Sequence, residues 1–410
     1  MTKIALMTLG CKLNYAETST YERGFRAAGL EVVPYRQSAD LYLINTCSVT
    51  ATADQKSRNL IRRVHRVNPE AKIVVTGCSA ELRRAEIEAI EGVWKVFGCN
   101  EKAKVVPDCL AGLGFPAAAV TADAVFGAYS TGERTRSFLK VQDGCDNYCN
   151  YCTVPYARGG SRNLPVCECV RMAREIAAQG VKEIVLTGVN TGDYGKTTGE
   201  SFLSLLQALN DVDGIERYRI SSIEPNLLSS EIIDWIASGT KFQPHFHIPL
   251  QTGSDVLLAS MGRRYTTAFF AEKLVYIRRA MGDGVFFGID VMVGLPGETP
   301  ELFEETVAFL KQIRPAFIHV FPYSRRPGTP AAEMPGQIAE EEKKRRVAVL
   351  EELCVLLHSE FVASQKGAIV SVLFESKEKD GTMGGYSSNY IRVTRPYDPA
   401  LSGKIVEVTL

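Results

Sequence analysis

The 410-residue chain has no excess of either charge: 47 Lys and Arg stand against 47 Asp and Glu. Without a net charge there is no global field to draw in a polyanion, so a nucleic-acid role must rest on local patches. Long hydrophobic runs are missing too. No stretch reaches the ~18 uninterrupted apolar residues of a membrane helix, and the nearest, Ala111 to Tyr129, is broken by Pro116 and Asp123. The N-terminus lacks the pattern of a secretory leader, since Met1-Thr2-Lys3 runs directly into the apolar segment Ile4–Leu9. With 45% hydrophobic and 23% charged residues, the composition excludes a disordered chain, a collagen-like repeat and a small disulfide scaffold. These absences point to a soluble, cytoplasmic protein of two to four domains at about 100–200 residues each. In a reducing compartment cysteines serve as ligands or catalysts rather than disulfides. Eleven are present, an odd number, and they need explaining.

The first hundred residues alternate short apolar runs with helical stretches. Ile4–Leu9, Leu41–Ile44 and Ile73–Val75 read as buried parallel strands. Helices are expected around Glu17–Ala28, Asp54–Val67 (opening at Thr52 or Ala53) and Ala80–Ile90. This is an open α/β domain, 1–110. Residues 111–136, rich in Ala and Gly, read as a linker. From 137 to 336 a second alternation follows. Its strands are Ser137–Val141, Glu183–Thr187, Arg217–Ser221, His245–Ile248, Phe286–Val293 and Phe317–Phe321, with helices such as Val166–Gln179, Phe202–Leu209 and Thr299–Ile313. Six βα repeats predict a partial parallel barrel with its site at the strand C-termini. A charged connecting helix occupies 337–366, its Glu340–Arg346 run pairing at i,i+3 and i,i+4. Residues 367–410 switch to β alternation, with Gly381, Gly384 and Gly385 marking turns, and predict a small β-barrel.

Each early strand runs into a cysteine: Cys11, Cys47 and Cys78, separated by 36 and 31 residues. Ligands of open α/β sheets bind beyond the carboxyl ends of strands, so the three could share one site. Three buried free thiols would fit the pattern as well. A sharper signal is Gly144-Cys145-Asp146-Asn147-Tyr148-Cys149-Asn150-Tyr151-Cys152, just past the first barrel strand. Three thiols on one short loop suit a 4Fe–4S cluster with one open iron. Structural zinc usually needs a fourth ligand and cysteines paired with partners further on.

With these residues in view, the chain resembles the radical S-adenosylmethionine (SAM) methylthiotransferases over nearly its whole length. The carrying segments are Thr8-Leu9-Gly10-Cys11-Lys12-Leu13-Asn14, Asn45-Thr46-Cys47-Ser48-Val49-Thr50, Gly77-Cys78, and Cys145–Cys152 continuing to Gly159. His247–Ser254, Gly288–Thr299 and the C-terminal run Gly385 to Tyr390, which looks like a TRAM RNA-binding domain, add to them. Leu9–Asn14 and Ser221-Ser222-Ile223-Glu224-Pro225 look like the branch acting on N6-threonylcarbamoyladenosine in tRNA. Alternatives are the isopentenyladenosine branch, the branch modifying a ribosomal-protein aspartate, and a zinc-containing RNA-binding protein without turnover. Ser79 and Asn150 depart from the common pattern, but neither is a cluster ligand.

The resemblance implies two 4Fe–4S clusters, one on Cys145, Cys149 and Cys152, and an auxiliary one on Cys11, Cys47 and Cys78. The first would bind SAM and cleave it to a 5′-deoxyadenosyl radical; the second would carry the sulfur that is methylated and transferred to C2 of adenine. The protein would position both and exclude water. Implied SAM contacts are Tyr151, Thr187, Gly188, Asn190, Glu224, Gln251, Gly288 and Val293. Ordinary readings compete for several of them: a strand-end turn at Thr187–Asn190, a surface carboxylate at Glu224, plain buried strand residues at Gly288 and Val293. The implied partners are a tRNA anticodon stem-loop, a reducing electron donor and a sulfur donor, with no membrane.

For RNA, Arg58, Arg62 and Arg66 align at i, i+4, i+8 with Arg63 one step round, a phosphate-contacting stripe or a solvated helix face. Residues 366–410 hold six Lys/Arg against five Asp/Glu. There, stacking by Tyr386 or Tyr390 and contacts from Arg392 or Arg395 would matter more than charge. Those tyrosines fit a barrel core equally well. Cys99, Cys109, Cys167, Cys169 and Cys354 read as structural thiols outside both triads.

Overall fold

The computed structural model describes residues 1–116, 126–131 and 135–410. Apolar runs near the N-terminus build a five-stranded parallel sheet from Lys3–Thr8 (β1), Glu31–Val32 (β2), Leu41–Thr46 (β3), Lys72–Gly77 (β4) and Val93–Phe97 (β5), in the order β2-β1-β3-β4-β5. Its central strand β3 is buried at every position because both faces are covered. Tyr42 and Ile44 meet Ile61 and Val64 of helix Ala51–Val67 on one face. On the other, Leu41 and Leu43 meet Tyr21 and Phe25 of helix Lys12–Ala27. Helix Ala51–Val67 starts three residues earlier than expected, because the Thr50 hydroxyl accepts the Ala53 N–H. The expected helix over 80–90 is broken at Arg83, which leaves helical geometry and separates Cys78–Leu82 from Arg84–Glu88.

The second sheet has seven strands. Ala128–Tyr129 (β6) pairs antiparallel to Arg136–Lys140 (β7) at one edge. After the two-residue strands Gln142–Asp143 (β8) and Arg162–Asn163 (β9), which form a hairpin of their own, come Glu183–Thr187 (β10), Arg217–Ile220 (β11), Phe242–Gln251 (β12), Phe286–Val293 (β13) and Phe317–Pro322 (β14). The order β14-β13-β12-β11-β10-β7-β6, with all strands from β7 onward parallel, is the expected open six-repeat barrel. The sheet thus begins within the stretch read as a linker, of which residues 117–125 and 132–134 lie outside the described residues. Strand alternation sorts the side chains. Phe287, Ile289, Val291 and Val293 join the core under the helices, leaving Phe286, Gly288, Asp290 and Met292 on the concave face.

Helix Glu340–Ser364 packs on β14 and is held by a buried Arg346–Glu298 ion pair. Ile369–Lys379 (β15), Thr382–Ser387 (β16), Arg392–Pro396 (β17) and Ile405–Thr409 (β18) form an antiparallel half-barrel, order β17-β16-β15-β18. Gly384 and Gly385 lie inside β16 rather than at turns, in register with β15 and β17. Contacts that dock the first sheet's layer on the second include the pair of Arg326 with the buried Asp54 and the bond of the Ala51 N–H to Ser324 Oγ at 3.1 Å. No helix among the described residues is long and apolar enough to cross a membrane.

Candidate cluster sites and the chamber between them

The barrel loop leaves β8 at Gly144, whose φ of +73° suits glycine; a methyl there would collide with the Gly160 carbonyl. Asn150 pins the far side, its N–H to Met261 O at 3.0 Å and Nδ2 to Ser260 O at 2.8 Å. Each sulfur receives a donor: Asn147 N–H reaches Cys145 Sγ at 3.5 Å, Val154 N–H reaches Cys152 Sγ at 3.4 Å, and Arg263 Nη1 reaches Cys149 Sγ at 3.2 Å. Burial pushes Cys145 up to about 11 and Cys152 up to about 12, so deprotonation of these thiols waits for a cationic ligand. Arg263 also grips Glu224 through Nη2, at 2.5 and 2.7 Å. Burial still raises the Glu224 carboxyl, against the pull of that guanidinium.

The N-terminal cysteines follow β1, β3 and β4, adjacent strands whose pairs Thr8↔Asn45, Asn45↔Thr76 and Thr46↔Gly77 align their ends. A Cβ on Gly10 would lie 2.6 Å from Cys47 Cβ, so glycine admits the close approach of the two loops. Asn14 Nδ2 ties them together, donating to Leu9 O and Thr46 O at 2.9 Å each. Cys47 is pushed up to about 12 by burial, with Cys78 and Cys11 adding to the rise. Cys78 is pulled down by a hydrogen bond from Cys99, against burial, and by Arg158. Cys99 therefore belongs beside this triad, which its position at the end of β5 did not advertise.

Between the triads lies a buried charge network. Arg158 donates Nε to Cys78 Sγ (3.2 Å), Nη2 to Asn14 Oδ1 (2.6 Å) and Nη1 to Asp143 Oδ1 (2.8 Å) and Glu17 Oε1 (3.3 Å). Lys140 bridges Glu17 at 2.8 Å and Asp143 at 2.6 Å, and Lys102 reaches Glu17 at 2.6 Å. All five side chains are at most 2% exposed. Burial alone would raise the Glu17 and Asp143 carboxyls, but the three cations hold both far below the ordinary range.

Among the described residues, one group places three such ligand atoms within 4.8 Å of one another: His247, Asp290 and His319. There a 2.9 Å hydrogen bond already joins His247 to Asp290.

The residues expected at SAM divide. Gln142 Oε1 accepts the N–H groups of Val189 (2.9 Å) and Asn190 (3.0 Å), fixing the turn beyond Thr187 and Gly188. Asn190 Oδ1 in turn accepts the Glu224 N–H at 3.2 Å, so these strand ends form one rim. Gln251, at φ +73°, ends β12 on the same edge, and Gly288 lies on the concave face. Tyr151 packs with Leu257, Met261 and Leu295 beside the loop. Val293 is a correction: its side chain points into the helix-side core, as its odd spacing from Gly288 requires. Arg263, Gln142, Arg158, Asp143 and Glu17 were not singled out, since no local pattern marks residues whose partners lie so far away in the chain.

Of the expected RNA contacts, Arg62, Arg63 and Arg66 are exposed on one helix, with Arg58 half-buried and 3.9 Å from Glu86. Arg392 is exposed on β17. Tyr386 and Tyr390 differ from an outward stacking platform: they stack on each other at 4.8 Å and turn inward, Arg136 lying over both rings. Tyr390 also meets His245 at 4.3 Å. It thereby lines a cavity of about 350 Å³ shared with Cys11, Lys12, Arg136, Arg219 and His245.

Residues 3–98 match the family model described as "Uncharacterized protein family UPF0004", and residues 139–310 match the radical SAM superfamily. The threonylcarbamoyladenosine tRNA methylthiotransferase MtaB of Bacillus subtilis is 39% identical over all of this chain and 94% of its own length. A tRNA-2-methylthio-N(6)-dimethylallyladenosine synthase of Pelotomaculum thermopropionicum is 32% identical over all of this chain and 95% of its own. The structure of TsrM, a radical SAM methyltransferase from Kitasatospora setae with cobalamin and a [4Fe-4S] cluster bound, shares the fold at TM-score 0.59 and 16% identity, over 81% of this chain and 77% of that one.

Proposed function

The chain belongs to the radical SAM methylthiotransferases, and from that membership we propose that it converts N6-threonylcarbamoyladenosine beside the tRNA anticodon to its 2-methylthio derivative, using two 4Fe–4S clusters. The observation that carries this reading is the pair of thiol triads joined through one arginine: Arg158 follows Cys152 by six residues and donates to Cys78. Cys145, Cys149 and Cys152 would hold the SAM-binding cluster, and Cys11, Cys47 and Cys78 the auxiliary one, each leaving one iron without a protein ligand. When bound, these groups supply the electron that cleaves SAM, the radical that takes hydrogen from C2, and the sulfur that replaces it.

The chain's own work is positioning. Arg263 orients Glu224 toward the rim that Asn190, Thr187, Gly188 and Gln251 share, where polar groups can meet the amino and carboxylate ends of SAM. The buried network fixes the N-terminal triad against the barrel. Residues 1–110, 137–336 and 367–410 act as the auxiliary, radical and RNA-binding units, joined by 111–136 and the helix in 337–366. Arg58, Arg62, Arg63, Arg66 and Arg392 are proposed to contact the anticodon stem-loop backbone. The substrate assignment rests on Leu9–Asn14 and on the higher identity to the threonylcarbamoyl-named relative, 39% against 32%. Nucleoside analysis of tRNA tests it: deletion of the gene should remove 2-methylthio-N6-threonylcarbamoyladenosine and leave its unthiolated precursor. Persistence of the modification in a cell without a second copy refutes the assignment.

A further inference from the structure

Three basic side chains line the cavity beside Cys11, and two of them already have carboxylate partners. Arg219 gives Nε to Glu183 at 3.0 Å and its two Nη groups to the Ser387 and Ser388 carbonyls. Arg136 is shared among Glu183, Glu375 and Tyr390. The third, Lys12, is solvent-exposed within the cavity and makes no hydrogen bond or ion pair with the described residues. The groups facing it are Tyr390, Arg136, Asp290 and the Cys11 thiol, with His245 and His319 nearby. Asp290, the one acid among them, is engaged by His247 at 2.9 Å. The cavity therefore presents one amine without a carboxylate partner among the described residues, one residue from a thiol of the auxiliary triad.

We propose that Lys12 is a specificity residue that binds the carboxylate of the threonylcarbamoyl arm on the target adenine, a step that rests on the substrate reading above. In adenine, C2 and the carbon bearing N6 both flank N1, so a group acting on C2 and a group reading the N6 arm belong side by side. Cys11 and Lys12 are side by side. An apolar isoprenoid arm offers Lys12 no partner and would leave its charge buried and unpaired in a closed complex, so the same residue disfavours that substrate.

The test is a charge cycle on the cluster-reconstituted full chain. Anticodon stem-loop RNAs carrying threonylcarbamoyladenosine, its neutral methyl ester, or dimethylallyladenosine are titrated against wild type, Lys12→Met and Lys12→Arg. Backbone contacts cancel in the acid-to-ester ratio, which a merely structural role of Lys12 would not move. Wild type should prefer the acid over the ester by about ten- to a hundredfold, the range of a charge-assisted hydrogen bond. Lys12→Met should bind both alike, and Lys12→Arg should keep most of the preference at equal iron content. A preference that survives in Lys12→Met overturns the role of Lys12 and leaves the substrate reading standing. Equal binding of acid and ester by wild type, with the dimethylallyl RNA bound more tightly than either, overturns both.

Discussion

Arg158 donates its Nε to the sulfur of Cys78 across 3.2 Å, from a position six residues beyond the last cysteine of the barrel loop. One side chain thus ties the two halves of the site, and its other nitrogens are spent on Asp143, Glu17 and Asn14. Removing one partner from a buried ionic network strands the others, at a cost of about 3–5 kcal/mol. Arg158→Ala should lower unfolding stability by that amount and reduce iron retained on the N-terminal triad, with Arg158→Lys between it and wild type. Denaturant unfolding with parallel iron assay checks this; a loss under about 1 kcal/mol would place the network's weight elsewhere.

The same network sets a pH dependence. Glu17 and Asp143 are held far below the ordinary carboxylate range, burial being outweighed by Lys102, Lys140 and Arg158. Depressed acids contribute stability above their unfolded values, about pH 4, and lose it as pH falls toward their folded ones. Melting temperature should therefore fall on acidification below about pH 4, and Glu17→Gln should flatten that slope while lowering stability at neutral pH. Parallel slopes in the two proteins would exclude Glu17 as the titrating group.

At the SAM rim, Arg263→Ala should weaken SAM binding by about ten- to a hundredfold through loss of charge-assisted bonds to Glu224 and Cys149. Burial already raises the Glu224 carboxyl; without Arg263 that rise is unopposed. The variant's SAM affinity should then recover as pH increases and Glu224 ionises. Equilibrium dialysis across pH reads both effects, and an affinity independent of pH would remove Glu224 from the contact.

How much of this was legible in the residues depended on range. Strands Glu183–Thr187 and Phe286–Val293 were readable to their ends because each is a short run bounded by turns or glycine. Strand Val93–Phe97 was not, since Lys95 interrupts its apolar run and Trp94 is exposed at the sheet edge. Both cysteine triads were visible as local spacing and strand-end placement. Their support was not: Glu17, Lys102, Asp143 and Arg158 span 141 residues and meet only after two sheets dock. The inward turn of Tyr386 and Tyr390 follows from a second docking, of the C-terminal half-barrel on the barrel strands that carry their partners Arg136 and Arg219. Val293 could have been placed by counting: five residues from Gly288, it must face the opposite side of the strand.

Separate roles for the triads predict separable losses. Cys149→Ala should abolish SAM cleavage, whereas Cys47→Ala should still cleave SAM yet form no thiolated nucleoside. Quantifying 5′-deoxyadenosine and the modified nucleoside in the same reactions distinguishes the two. Thiolated product from Cys47→Ala would end the auxiliary assignment.

Iron and acid-labile sulfide in the anaerobically reconstituted full chain test the account most directly. Two clusters require about eight irons and eight sulfides per chain, falling to about four of each in Cys47→Ala and in Cys149→Ala. About one zinc without sulfide, or a Cys47→Ala protein holding as much iron as wild type, would contradict it.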